Sequence, residues 1–246
     1  MCATLSGMAE RTSGSIRARV RAEMLEEIKD AARRQLAEDG ANLSLRAIAR
    51  GLGMVSSAIY RYYASRDDLL TALILDAYNA LGEAAEKAGE SVRDRDDHLG
   101  RWLAVARALR AWSVASPHEY ALIYGSPVPG YKAPQDTVEP SIRPVVVLGA
   151  ILEDAHNAGR LAPTDRPEPP TVLCPELARI AAVIAPSISE AVMARALIAW
   201  TELFGAISFE LFGRFNNTIA DLETWYEHQA HDMARFLGLP PRVQPT

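Results

Sequence analysis

Leu45, Ile48, Ala49 and Leu52 stand at i, i+3, i+4 and i+7, and glycines at 51 and 53 break the run. Only an α-helix gathers such positions on one face, and Ser44 in front is a favourable N-cap. A second run, Val55, Ile59 and Tyr63, follows at i, i+4 and i+8. Two short helices across a glycine-bearing turn restrict the region to a helical hairpin, its second helix packed on Leu45, Ile48 and Leu52. The same period governs the rest of the chain. Ile16, Val20, Met24, Ile28 and Leu36 form a stripe ahead of a stop at Gly40. Ser65, with Asp68 three residues on, caps a helix expected to run to about residue 88. Further helices are expected near 99–109, 117–124, 141–157, 189–213 and 220–237, separated by proline-rich loops at 125–140 and 163–170. No strand alternation is found, so the class is all-α. Residues 1–15 read as a disordered arm, 16–64 as a helix-turn-helix unit and 65–240 as a larger helical body.

Charge separates these parts. Residues 1–66 carry 11 Lys and Arg against 7 Asp and Glu, whereas residues 67–246 carry 15 against 24. A basic head on an acidic body directs anion contact to the head alone. Cys2 and Cys174 form no CxxC pair, which suits a reducing cytosol. No signal-peptide run is seen and no apolar stretch reaches membrane length; the longest, 177–185, is fenced by Pro175 and Pro186. A cytoplasmic protein without a membrane partner is expected.

On the second short helix Ser57, Tyr60 and Arg61 lie opposite the apolar face, and on the first Arg46 and Arg50 also point away from the stripe. Such a face suits DNA, because arginine forks onto guanine and hydroxyls hold phosphates. A solvated face on a packed hairpin is the bland alternative.

The run Leu43-Ser44-Leu45-Arg46-Ala47-Ile48-Ala49-Arg50-Gly51-Leu52-Gly53, followed by Ala58-Ile59-Tyr60-Arg61-Tyr62-Tyr63-Ala64-Ser65-Arg66-Asp67-Asp68-Leu69-Leu70, resembles the TetR family of transcriptional regulators. Residues 120–131, YALIYGSPVPGY, are similar to one of its C-terminal domain types. The resemblance implies that Ser44, Tyr60, Tyr62 and Arg66 grip phosphates, that Arg46, Ser56, Ser57 and Arg61 reach base edges, and that Gly53 supplies the turn's backbone. Val55 stands where the family often has a Ser or Thr cap, Tyr62 where it often has His, and Tyr63 where it often has Phe. The implied protein is a homodimer on a palindromic DNA operator, released by a small-molecule effector and acting as a repressor.

In the body, the helix at 189–213 is apolar almost all round. Its stripe Val192, Ala196, Ala199, Leu203 and Ile207 is assigned to a partner subunit, together with Trp225 and Met233 of the last helix. Trp102, Trp112, Tyr120 and Tyr124, with Arg107 for a polar end, are candidates for a lipophilic or aromatic effector pocket, although each aromatic also suits a core. His228 and His231 stand at i, i+3 without an identifiable third ligand, so no metal is assigned, and no cofactor is implied. GxSxG, HExxH and a glycine-rich phosphate loop are missing, so an enzyme is not expected. A helical adaptor, or a carrier or enzyme using the aromatic body, are the alternatives.

Overall fold

The computed structural model describes residues 3–39, 43–163 and 166–239, with side chains of the first helix described from Ile16 to Glu38. The described residues hold nine α-helices and no strand. They divide into two units, one comprising residues 1–76 with 126–133, the other 77–125 with the chain from 134 onward.

In the N-terminal unit α1 (Ala3–Asp39) packs on α2 (Leu45–Gly51). The backbone is helical from Ala3, where the sequence suggests an arm without structure. The expected stop at Gly40 lies outside the described residues. Of the α1 stripe, Ile28 and Leu36 are buried, while Ile16 and Val20 stand exposed because the stripe runs on past what covers it. The unit's other buried apolar residues include Leu43, Leu45, Ile48, Ile59 and Tyr63, with Leu69, Leu70 and Leu73 of α3 (Arg66–Ser91). Ser65 caps α3, its Oγ accepting from the Asp68 amide at 3.1 Å. One carboxylate oxygen of Asp76 accepts from both Lys29 (2.7 Å) and Arg33 (2.8 Å), and those cations also pair with Glu26 and Asp30. Burial alone would lower the Lys29 pKa, but hydrogen bonds to Asp76 and Glu26 outweigh it and raise the value. The Thr71 and Tyr131 hydroxyls meet at 2.9 Å and tie the loop of residues 126–133 to α3.

The larger unit is built on α4 (His98–Ala115), which packs against α5 (Pro117–Tyr124), α6 (Val138–Asn157), α8 (Glu190–Leu211) and α9 (Leu222–Leu237). Trp102, Leu103, Val105, Leu109, Tyr120, Ile151, Leu203 and Tyr226 are among its core residues. The polar tips are satisfied by carbonyls: Trp102 Nε1 donates to Ala230 (3.0 Å), Tyr120 to Phe204 (3.0 Å) and Tyr226 to Ala106 (3.1 Å). A smaller cluster joins α7 (Cys174–Ile184) to α8 through Leu177, Ala181, Ile188 and Met193. Where α6 meets α7, a Cβ on Gly149 would lie 2.2 Å from Ile184 Cγ2, so only glycine permits this approach. α6 starts three residues earlier than expected. Pro140 lies in its first turn, where the amides have no intrahelical acceptor and the missing N–H costs no helix bond. Ser189 and Asp221 cap α8 and α9.

α8 corrects one expectation. By length and composition it could cross a membrane, which the apolar-run count had excluded. Its Met193, Ala199, Leu203, Phe204, Ala206 and Ile207 are core residues here.

Candidate nucleic-acid interface

The turn after α2 closes as a Schellman motif. Gly53 N–H donates to Arg50 O (3.1 Å), Met54 N–H donates to Ala49 O (2.8 Å), and Gly53 takes φ +68°. Ser44 caps the other end, accepting from the Ala47 amide at 3.3 Å, while its own amide donates to Gln35 Oε1 at 3.0 Å. α2 is therefore held at both ends by bonds that its sequence supplies.

The second short helix differs from expectation. It is a 3-10 turn, Ile59–Arg61, preceded by further turns, with Ala58 N–H donating to Val55 O and Arg61 N–H to Ala58 O. Val55 is 71% exposed and belongs to no packed face, whereas Ile59 and Tyr63 are buried as expected. Val55 offers no side-chain acceptor, and the Ala58 position before the turn has none either, so nothing nucleates a full α-helical first turn.

The residues assigned to DNA fall into two groups. Arg46, Ser56, Ser57, Tyr60 and Arg61 are exposed, as is Arg50; Ser44, Tyr62 and Arg66 are partly buried. Ser44 uses an oxygen lone pair as cap, which leaves its hydroxyl hydrogen available to donate. Arg66 lies 3.4 Å from Asp67, which competes for its guanidinium. Burial raises the pKa of Tyr63, whose ring is core. Arg21 of α1 is a participant the sequence reading missed. Its Nη2 donates to the Arg61 carbonyl at 3.0 Å, and its guanidinium lies 5.2 Å from the Tyr62 ring centroid. The contact joins residues forty apart, so local periodicity carries no sign of it.

Among the described residues, four of the proposed pocket residues gather in the core and line no shared cavity, and Arg107 lies apart at a separate groove. Trp102 and Tyr120 are fully buried in the core with their polar atoms bonded. Tyr124 stacks at 4.6 Å on Phe204 and 5.1 Å on Tyr120, and burial drives its pKa upward. Trp112 packs on the same cluster. Arg107 is committed to a two-bond pair with Glu227 and borders a polar groove of about 510 Å³ with Arg110, Asp221 and Glu223. Trp102 borders a cavity of only about 20 Å³ beside Gly149, Ile184, Met193 and Trp200. A third space, a groove of about 430 Å³, is lined by apolar Ile142, Val146, Val147, Ala150 and Ile151 and by charged residues that include Glu86, Arg95 and Arg143. None of the expected residues borders it.

The dimer stripe also needs correction. Val192, Ala199, Leu203 and Ile207 are buried within the chain, and Ala196 packs on the same core, because this side of α8 meets the rest of the unit. The opposite side is open: Ile198 is 55% and Phe209 52% exposed, Phe212 follows at 46%, and a Cβ on Gly205 would meet nothing within 4 Å. On α9, Trp225 and Met233 are partly buried. His228 and His231 lie 3.3 Å from Asp232 and Glu227 respectively, each imidazole with its own carboxylate. Among the described residues no group of three His, Cys, Asp or Glu could hold a metal. Cys174 is a free thiol, and Cys2 lies outside the described residues.

Comparison with known proteins bears on both units. Residues 28–73 match the model for bacterial regulatory proteins of the tetR family, and residues 102–233 match a tetracyclin repressor-like C-terminal domain. HTH-type transcriptional regulators of Mycobacterium tuberculosis and Mycobacterium bovis are 42% identical over 201 residues, covering 76% of this chain and 80% of theirs. The crystal structure of the regulatory protein SCO4313 is 35% identical, with a TM-score of 0.72 over 88% of this chain and 97% of that one. A tetR-family regulatory protein from Rhodococcus RHA1 shares the fold at 17% identity, with a TM-score of 0.62 over 88% and 98% of the two chains.

Proposed function

Because the chain belongs to the TetR family of DNA-binding transcriptional regulators, we propose that it represses transcription as a homodimer on a palindromic operator and is released by a small lipophilic molecule. The observation that carries this reading is the exposed row Arg46, Ser56, Ser57, Tyr60 and Arg61 on a hairpin closed by the Gly53 turn. Arg46, Ser56, Ser57 and Arg61 read bases; Ser44, Tyr60, Tyr62 and Arg66 hold phosphates. The dimer forms through the open side of α8, with Ile198, Gly205 and Phe209 at i, i+7 and i+11, and through Trp225 and Met233 of α9. Two reading segments related by a twofold axis then enter successive major grooves about 34–36 Å apart. The effector occupies the 430 Å³ groove on α6, a volume within the range of small-molecule sites, and shifts the population toward a spacing that mismatches the operator. The protein works in the cytoplasm, where its DNA is.

The test begins by selecting duplexes from a random-sequence library with the full chain. An inverted repeat should be recovered, bound by two copies and weakened by salt. Tyr60→Phe and Arg66→Ala should weaken all duplexes alike, whereas Arg46→Ala should relax preference at particular bases. Recovery of no symmetric site, or uniform loss from Arg46→Ala, contradicts the assignment.

A further inference from the structure

We infer that Arg21 is a positioning residue for DNA reading: it holds the reading segment in its working shape and does not itself touch DNA. The inference rests on the reading of Arg61 and Tyr62 as DNA contacts. The segment is anchored at its start by buried Ile59 and behind it by buried Tyr63, but Tyr60 and Arg61 between them are exposed. It is three residues of 3-10 helix, whose hydrogen bonds are less well aligned than those of an α-helix. No side chain caps its start. At its end the Arg61 carbonyl receives a donor from another element, Arg21 Nη2 at 3.0 Å. The same guanidinium lies over the Tyr62 ring. A planar cation with several N–H groups performs both tasks at once, which an ammonium does not. One side chain of α1 thus fixes the backbone that aims a base-reading arginine and the ring that aims a phosphate-binding hydroxyl.

Equilibrium binding of the full chain tests this, using the duplex selected by the wild-type protein and a scrambled duplex of the same composition, over a salt series. Arg21→Lys and Arg21→Ala should each weaken the selected duplex about fivefold, weaken the scrambled duplex less, and leave the salt slope unchanged. A thermal melt matching the wild type's reports an intact fold. In a Tyr62→Ala background the Arg21→Ala effect should shrink, since the two act as one unit. If Arg21→Lys binds like wild type while Arg21→Ala loses about one unit of salt slope on both duplexes, Arg21 is a phosphate contact and the inference is wrong. Wild-type affinity in both variants would overturn it as well. If Arg61→Ala and Tyr62→Ala leave both duplexes unaffected, the underlying assignment of the DNA-facing segment has failed, and the inference falls with it.

Discussion

Replacing Gly149 by alanine sets helix propensity against packing, and the structure decides the sign. In an open helix the change would stabilise by about 1 kcal/mol. Here the new methyl would lie 2.2 Å from Ile184 Cγ2 and 3.1 Å from the Ile184 carbonyl oxygen. Carbon atoms rest about 3.5–4.0 Å apart, so a shift of more than an ångström is required. A β-branched side chain has little χ1 freedom to yield, and the backbone oxygen can move only if α7 moves. Overpacking of this kind costs about 1–3 kcal/mol. The two effects leave a net loss of about 0–2 kcal/mol, or a fall in Tm of up to about 8 °C at 2–4 °C per kcal/mol for a chain of this size. Ile184→Ala removes Cγ2, and in that background Gly149→Ala should become neutral or stabilising. Urea unfolding of the wild type, both single variants and the double variant, at one protein concentration, measures the coupling. Trp102 and Trp200, which border the neighbouring cavity, report it by fluorescence. A Gly149→Ala protein more stable than wild type, or a coupling below about 0.5 kcal/mol, would refute the reasoning.

Gly53→Ala meets no neighbour within 4 Å but keeps φ near +68°, so it should cost about 1–2 kcal/mol; Gly53→Asn should recover part of that, read by hydrogen exchange in α2. Tyr120→Phe removes a hydroxyl bonded to the Phe204 carbonyl and to Ser208 Oγ, and a differential scanning melt should show a loss of about 1 kcal/mol. Burial, and then the charge of Arg101, hold the His98 pKa below its ordinary value even though Asp154 and Asp96 oppose the shift. The unfolded chain therefore takes up a proton at a higher pH than the folded chain does. The His98 contribution is complete above the unfolded value of about 6.5 and is lost as pH falls through it toward the folded value. His98→Asn should narrow the difference in Tm between about pH 7.5 and pH 5; an unchanged difference would exclude His98 as a source.

The α2 hairpin was legible because its signals are local: a cap at Ser44, an apolar face and a glycine at the one position needing positive φ. The form of the reading segment was not. Over a single turn, periods of 3.0 and 3.6 residues place side chains almost alike, and Val55 counts as apolar whether or not anything covers it. α8 failed for a related reason. A helix apolar on both sides has two candidate stripes, and periodicity cannot say which one the chain buries itself. The pocket residues misled because a buried Trp or Tyr looks the same in sequence whether its polar tip meets a ligand or a backbone carbonyl. Arg21 escaped notice because nothing near it in the chain marks its partners.

Asp76 works as a hub with two spokes. A single oxygen serves both Lys29 and Arg33, one helical turn apart on α1, so the two ties are not independent. Neutralising either cation leaves its twin attached. Neutralising the hub removes both ties at once and leaves each cation with its own helix neighbour, Glu26 or Asp30, and no tie to α3 through Asp76. Asp76→Asn should therefore loosen the packing of α1 on α3 more than Lys29→Met or Arg33→Met alone, an asymmetry that equal-looking salt bridges conceal.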